Sequence, residues 1–207
     1  RDEFLAMVGF GHKEGEIDEH ESKIIQNLFR FRSLKVTDVM TPRVVITALS
    51  QDMLATEAQK ALRHCPFSRL PLYGENINDI TGFALKDKIM LYKPTERDEL
   101  RLTAFKRKLH AVPDSMLLPK LLDFFLNNRQ QIAIIVDEYG DVKGLVTLED
   151  VIETLLGMDI VDETDNVTDM RALARQQWSK RAEALGFELP EVLGAYEDKK
   201  PRDGGGK

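Results

Sequence analysis

From His110 to Leu156 the spacing of apolar residues changes several times, and each change predicts an element. His110-Ala111-Val112-Pro113 is a short extended stretch, because a residue before proline avoids the helical region. Leu118, Leu121, Leu122, Phe125 and Leu126 then recur at helical spacing, which predicts a helix over roughly 115–127 capped by Asp114 or Ser115. Ile132-Ala133-Ile134-Ile135-Val136 is an unbroken apolar run, as expected of a strand buried on both faces. Asp137–Asp141 is a turn in which Gly140 can take a positive φ. Val142–Thr147 is a second strand, and Glu149–Leu156 closes the unit as a helix with Val151, Ile152 and Leu155 on one side. The order is β-α-β-β-α.

The same pattern occurs once before. Residues 45–73 lie over 108–136 without a gap, Val45 on Lys108, at a constant offset of 63. Ala48 falls on Ala111, Met53 on Met116, and Leu70–Tyr73 on Ala133–Val136. Beyond the turn, Thr81–Ala84 falls on Lys143–Val146 at an offset of 62. The first copy therefore has its helix over Met53–Arg63, strands at Leu70–Tyr73 and Ile80–Leu85, and a short helix near Lys86–Tyr92. One supersecondary unit used twice implies a pseudo-twofold cleft between the copies, and ligand sites favour such junctions.

The order, the tandem arrangement and Gly-Leu-Val-Thr-Leu-Glu-Asp (144–150) resemble a pair of cystathionine-β-synthase (CBS) domains. More narrowly, Asp38-Val39-Met40-Thr41-Pro42-Arg43, Ser68-Arg69-Leu70-Pro71-Leu72-Tyr73 and Val136-Asp137-Glu138-Tyr139-Gly140 resemble the cytosolic part of CorC-type and cyclin M-type magnesium/cobalt transport proteins. Leu156-Gly157 with Ile160–Glu163 fits the same family, so the resemblance covers about residues 16–165. It implies an α+β, sandwich-like module. Residues 1–35 would be a linker and helix, 36–98 and 99–157 the two CBS domains, and 158–207 an acidic linker, a helix and a disordered tail.

The composition adjusts this picture little. The chain has 207 residues, yet a repeat of about 55–60 residues is marginal by itself, so the copies are expected to fold together. A net charge of −6 and the lack of a basic stripe argue against nucleic acid as a partner. The single cysteine, Cys65, excludes an internal disulfide and suits a reducing compartment. No apolar run nears the ~18–20 residues that span a bilayer, and the N-terminus lacks the apolar segment of a signal peptide. The resemblance implies a preceding membrane domain, with this part on the cytoplasmic face. His12, His20, His64 and His110 have no metal-ligand spacing, and no Walker loop or nucleophile elbow is present. Nothing in the residues points to an enzyme.

The flanks are expected to be structural. Ile17, Ile24, Leu28 and Phe31 share a face of a helix over about 16–31. A second helix is expected over 168–189, with Ala172, Leu173, Trp178 and Leu185. The acidic run Asp159, Asp162, Glu163 and Asp165 is expected to be solvated rather than a metal site.

In CBS pairs an adenine nucleotide lies in the cleft, and the resemblance carries its contacts onto matching residues. Asp150, in the first turn of the last helix, can accept two hydrogen bonds from the ribose diol, and Thr147 supplies a hydroxyl at the strand end. From the first copy come Thr41 and the segment Phe67-Ser68-Arg69-Leu70-Pro71. Phe67 and Pro71 would flank the base, and the Arg69 guanidinium would meet phosphate. The implied ligand is AMP or ATP, the latter with Mg²⁺ on its phosphates. The plainer alternative for Asp150 is a helix cap. In the pseudo-symmetric pocket Leu85 and Lys88 stand where Thr147 and Asp150 would map, with Asp87 one residue away. Ile132 stands for Arg69 there, and Ala104 is expected to stand for Thr41, so that pocket should be empty or weak.

The expected function is a nucleotide-sensing regulatory module of a divalent-cation transporter. The alternative is a dimerisation module that binds nothing. The helix Leu117–Leu126 is apolar nearly all round, so one face needs a partner, which family resemblance supplies as a second copy near Leu117 and Phe124.

Overall fold

The computed structural model describes residues 2–94 and 99–157. The 168–189 helix, the acidic run and the tail lie outside the described residues. Two helices come first, α1 (Asp2–Lys13) and α2 (Glu19–Phe31). They are followed by β1 (Thr41–Pro42), β2 (Leu49–Ser50), α3 (Ala55–Ala61), β3 (Arg69–Tyr73), β4 (Ile80–Leu85) and α4 (Lys86–Met90). The second half holds β5 (His110–Pro113), α5 (Leu118–Asn128), β6 (Ile132–Val136), β7 (Val142–Thr147) and α6 (Leu148–Leu156). The expected β-α-β-β-α order is present twice. Among the described residues no helix is long and apolar enough to cross a membrane.

The strands form two mixed sheets, β1-β7-β6-β5 and β2-β3-β4. Parallel pairs β2/β3 and β5/β6 flank antiparallel pairs β3/β4 and β6/β7. Each sheet buries one face against helices. Leu118, Leu121, Phe125 and Val151 pack on Val112, Ala133, Ile135 and Val146, while Ala58, Leu62 and Ile89 pack on Leu49, Leu70, Leu72 and Ala84. The helix-free faces are buried too, through Ile132 and Ile134 in one sheet and Pro71 and Phe83 in the other.

The leading segment of each copy is built into the other copy's sheet and core. Ahead of the first copy, Val36 N–H donates to the Met116 carbonyl, Leu34 accepts from Leu118, and Val36 and Val39 join the core of the four-stranded sheet. Ahead of the second, Leu102 N–H donates to the Met53 carbonyl, Leu100 accepts from Ala55, and Leu102 joins the core of the three-stranded sheet. These segments then reach the sheet edges. Thr41 pairs with Leu145 on β7, and Arg107 pairs with Phe83 on β4.

Glycine makes both crossings possible. A Cβ on Gly144 would lie 2.6 Å from the Thr41 carbonyl oxygen and 2.7 Å from Met40 Sδ. One on Gly82 would lie 2.5 Å from the Arg107 carbonyl oxygen and 2.7 Å from Lys106 Cγ. The exchange also explains Pro71 inside a strand. Phe83, its partner on β4, exchanges both backbone hydrogen bonds with Arg107, so the missing proline N–H removes nothing from the β3/β4 ladder.

Several boundaries differ from the sequence expectation. The Asp114 N–H donates to Val136, and Met116 and Leu117 are engaged by Val36 and Lys35, so α5 starts at Leu118 rather than at a cap on Asp114 or Ser115. The α3 helix starts at Ala55 for the matching reason, since Met53 and Leu54 are engaged by Leu102 and Arg101. Helix α2 starts after Asp18, whose carboxylate accepts the Glu21 N–H at 2.7 Å while Glu21 reaches back. Ile17 therefore lies outside it, and Leu28 is 50% exposed rather than packed beside Phe31. Helix α5 is less apolar outside than expected, because Leu122 and Phe124 pack on the core and Phe124 sits edge-on to His110.

The 137–141 turn is as expected, with Gly140 at φ 87°. Lys143 lies 2.7 Å from the Asp137 carboxylate and, with the Asp141 and Tyr139 N–H groups, holds that carboxyl below its usual range.

Gly144→Ala should lower stability by about 1–3 kcal/mol, because the crossing arm has to move. Gly9→Ala, in α1 with no atom near its Cβ position, should raise stability by about 0.5–1 kcal/mol. Urea unfolding of both variants checks the pair, and equal effects would mean that the close approach at Gly144 is of no consequence.

Candidate functional site

The candidate site lies where β7 runs into α6. Side chains alternate along a strand, and Val146 faces the helix-packed core, so Leu145 and Thr147 share the helix-free face with Ile132 and Ile134 opposite them. Thr41 pairs with Leu145 and so lies on that face as well. The exchange thus brings Thr41 onto the face of Thr147 although the whole first copy and most of the second separate them in sequence.

Thr147 is the N-cap of α6, and Asp150 is its N3 residue. The Thr147 N–H and hydroxyl both donate to Asp150 Oδ2 at 2.7 Å, and the Asp150 N–H donates to Thr147 Oγ1 at 3.1 Å. This is a reciprocal capping box, so the plainer alternative for Asp150 holds. The same bonds fix the carboxylate and hydroxyl in one orientation, and both residues are only half-buried. A fixed, reachable carboxylate beside a hydroxyl suits a vicinal diol, so the residues fit a ribose. Among the described residues no group of three His, Cys, Asp or Glu side chains could hold a metal ion.

The remaining sequence-derived residues lie on or just before β3, in the other sheet. Ser68 is exposed, Arg69 is half-buried, and Phe67 packs partly against the core. Arg69 and Pro71 take the helix-free face, Arg69 opposite Leu85 and Pro71 opposite Phe83. Leu70 does not join them, because its side chain is fully buried in the helix-side core. Any contact it makes with a ligand is through its backbone.

The counterpart site differs from the sequence expectation at one position. Arg107, not Ala104, occupies the Thr41 position, because Arg107 pairs with Phe83 just as Thr41 pairs with Leu145. The first copy contains a short turn, Arg43–Val45, between its crossing arm and β2, and this shifts the offset. Sequence alignment without a gap missed Arg107. The signal that could have found it is the equivalence of Val36 and Leu102, apolar residues ahead of their copies that each enter the other copy's core.

The CBS domain family model matches residues 103–157. The UPF0053 protein of Synechocystis is 36% identical over 174 residues, which is 84% of this chain and 49% of that protein. The magnesium and cobalt efflux protein CorC of Escherichia coli K12 is 28% identical over 198 residues, 95% of this chain and 68% of that one. The chain therefore spans about half to two thirds of the length of these relatives. Among solved structures, the CBS domain of a bacterial CNNM/CorC family Mg²⁺ transporter superposes with a TM-score of 0.71 at 29% identity, covering 78% of this chain and 98% of that chain. A complex of such a domain with ATP gives 0.63 at 30% identity, covering 67% and 98%. A CBS-domain pair from Klebsiella pneumoniae with bound AMP gives 0.52 at 28%, covering 60% and 100%. A match at 30% identity over 98% of a solved CBS domain of that family, together with the CBS family model, has one meaning: this chain belongs to the CBS-domain modules of the CNNM/CorC family.

Proposed function

We propose that the module senses an adenine nucleotide, AMP or ATP, and passes its binding to an attached membrane domain that moves magnesium or cobalt. The observation that carries this reading is that strand exchange sets Thr41 on the helix-free face of Thr147, whose hydroxyl is bonded to the Asp150 carboxylate. Relatives support it, since the ATP and AMP complexes are CBS structures of the same fold. Asp150 holds the ribose diol, Thr147 and Thr41 present hydroxyls to the ribose or first phosphate, Phe67 and Pro71 flank the base, and Ser68 and Arg69 meet the phosphates. If ATP is the ligand, Mg²⁺ accompanies it, bridging its phosphates. Because ligand contacts come from both sheets, nucleotide favours one arrangement of the sheets over another, and that difference is the signal. The role is regulatory, not catalytic.

Calorimetry with ATP, ADP and AMP, with and without Mg²⁺, tests the proposal directly. Asp150→Ala should weaken binding by roughly ten- to a hundred-fold, the loss of charge-assisted hydrogen bonds to ribose. It should also lower stability by about 1 kcal/mol through the lost cap, which Asp150→Asn, still an acceptor, should largely avoid. Asp87→Ala should leave affinity unchanged. Equal losses at Asp150 and Asp87 would contradict a single nucleotide site.

Arg69 separates phosphate recognition from shape. Arg69→Ala should reduce affinity for ATP much more than for adenosine, and lysine should restore only part of it. A uniform loss across both ligands would assign Arg69 to shaping the site.

We further propose that the module is a homodimer joined through α5. With Phe124 packed against His110, the exposed apolar residues there are Leu126, 59% exposed, and Leu117, 36% exposed. Sedimentation should show a dimer at micromolar concentration and a shift to monomer for Leu126→Glu. A wild-type monomer would remove pairing from the proposed route.

A further inference from the structure

The counterpart site on the three-stranded sheet is changed in kind, not merely stripped. On β4, Leu85 is paired with Arg69 of β3, and two residues earlier Phe83 is paired with Arg107 of the crossing arm. Phe83 lies between Gly82 and Ala84, and Ala84 belongs to the helix-side core. Phe83, Leu85 and both arginines therefore share the helix-free face, the arginines flanking β4 from opposite sides. Lys88 stands at the N3 position of α4, three residues after Leu85, as Asp150 stands three residues after Thr147. Hydroxyl is thus replaced by guanidinium at 107 and carboxylate by ammonium at 88.

These cations are not engaged in structure. Among the described residues, Arg69, Lys88 and Arg107 make no ion pair, and Lys88 and Arg107 are exposed. Neighbouring cations differ. Lys86 Nζ donates to the Cys65 carbonyl, and Lys106 Nζ donates to Gln51 Oε1 at 3.0 Å while its stem covers Gly82. One carboxylate, Asp87, shares the first turn of α4, which leaves the group strongly positive on a chain of net charge −6. A ribose diol finds no acceptor of Asp150's kind at Leu85 and Lys88. What fits two guanidinium forks and an ammonium is an anion with several oxygens.

We propose that this face binds a phosphate-bearing oligoanion between Arg69, Arg107 and Lys88. The site shares Arg69 with the proposed nucleotide site and differs from it in Arg107 and Lys88, so its test rests on those two residues. Inorganic pyrophosphate titrated calorimetrically into the 207-residue chain at low salt should bind saturably, one per chain. Arg107→Ala and Lys88→Ala should each weaken it about tenfold or more. Absence of saturable binding would overturn the proposal while leaving the Asp150-dependent nucleotide titration to stand or fall by itself. Wild-type affinity in both cation variants would overturn it too, since pyrophosphate would then lie elsewhere, on the phosphate contacts of the nucleotide site. Vesicles of phosphatidylglycerol, against vesicles of phosphatidylcholine alone, identify the source. Sedimentation with the former that is lost in Arg107→Ala assigns the site to lipid headgroups, and no sedimentation assigns it to a soluble phosphate compound.

Discussion

The hydrogen bonds that cross between the two copies are the constraint on which the rest depends. Each leading segment gives its backbone and its apolar side chains to the other copy, Val36 to one core and Leu102 to the other. Without them, each sheet would expose an edge and each core would lack a fully buried residue. They also fix where the helices begin, because residues just before α3 and α5 are engaged by the crossing strands. The juxtaposition of Thr41 with Thr147 follows from the same bonds. Fold and candidate site are therefore one problem rather than a scaffold with a site added.

Much of this was legible in the sequence because strong local patterns decided it. The β-branched run at Ile132–Val136, the turn at Gly140 and the α6 periodicity need no tertiary information. The capping box of Thr147 and Asp150 was legible as a spacing, and the competing roles of its carboxylate were both visible there. What the sequence hid was non-local. A three-residue turn at Arg43–Val45 shifts the repeat, and gap-free alignment places Ala104 where ladder pairing places Arg107. The α5 start was hidden likewise, since Asp114 and Ser115 are good caps whose neighbourhood is already taken by another strand. Helix α1 carries two glycines in its last half, which weakens any local signal for it.

The two halves show how a symmetric fold carries unequal chemistry. The ladder, the glycines and the buried apolar positions repeat, and they are the parts that strand exchange requires. Polar positions at the strand ends do not repeat. Threonine and aspartate at one end become leucine and lysine at the other, and threonine on the arm becomes arginine. Backbone geometry constrains the first set, whereas the second set is free to follow a ligand. Arg69 and Ile132 show the same divide, since both begin a central strand and only one carries charge.

The crossing also sets an order of assembly during synthesis. Thr41 emerges from the ribosome about a hundred residues before Leu145, its partner, so the arm must wait unpaired while most of the module is made. Meanwhile β4 presents an open edge until Arg107 follows it, a short delay by comparison. The three-stranded sheet can thus close early and locally. The four-stranded sheet closes last, and it is the sheet that carries Thr147 and leads into the helix of Asp150, so a chain that stops short of β7 would have a finished first layer and no candidate site at all.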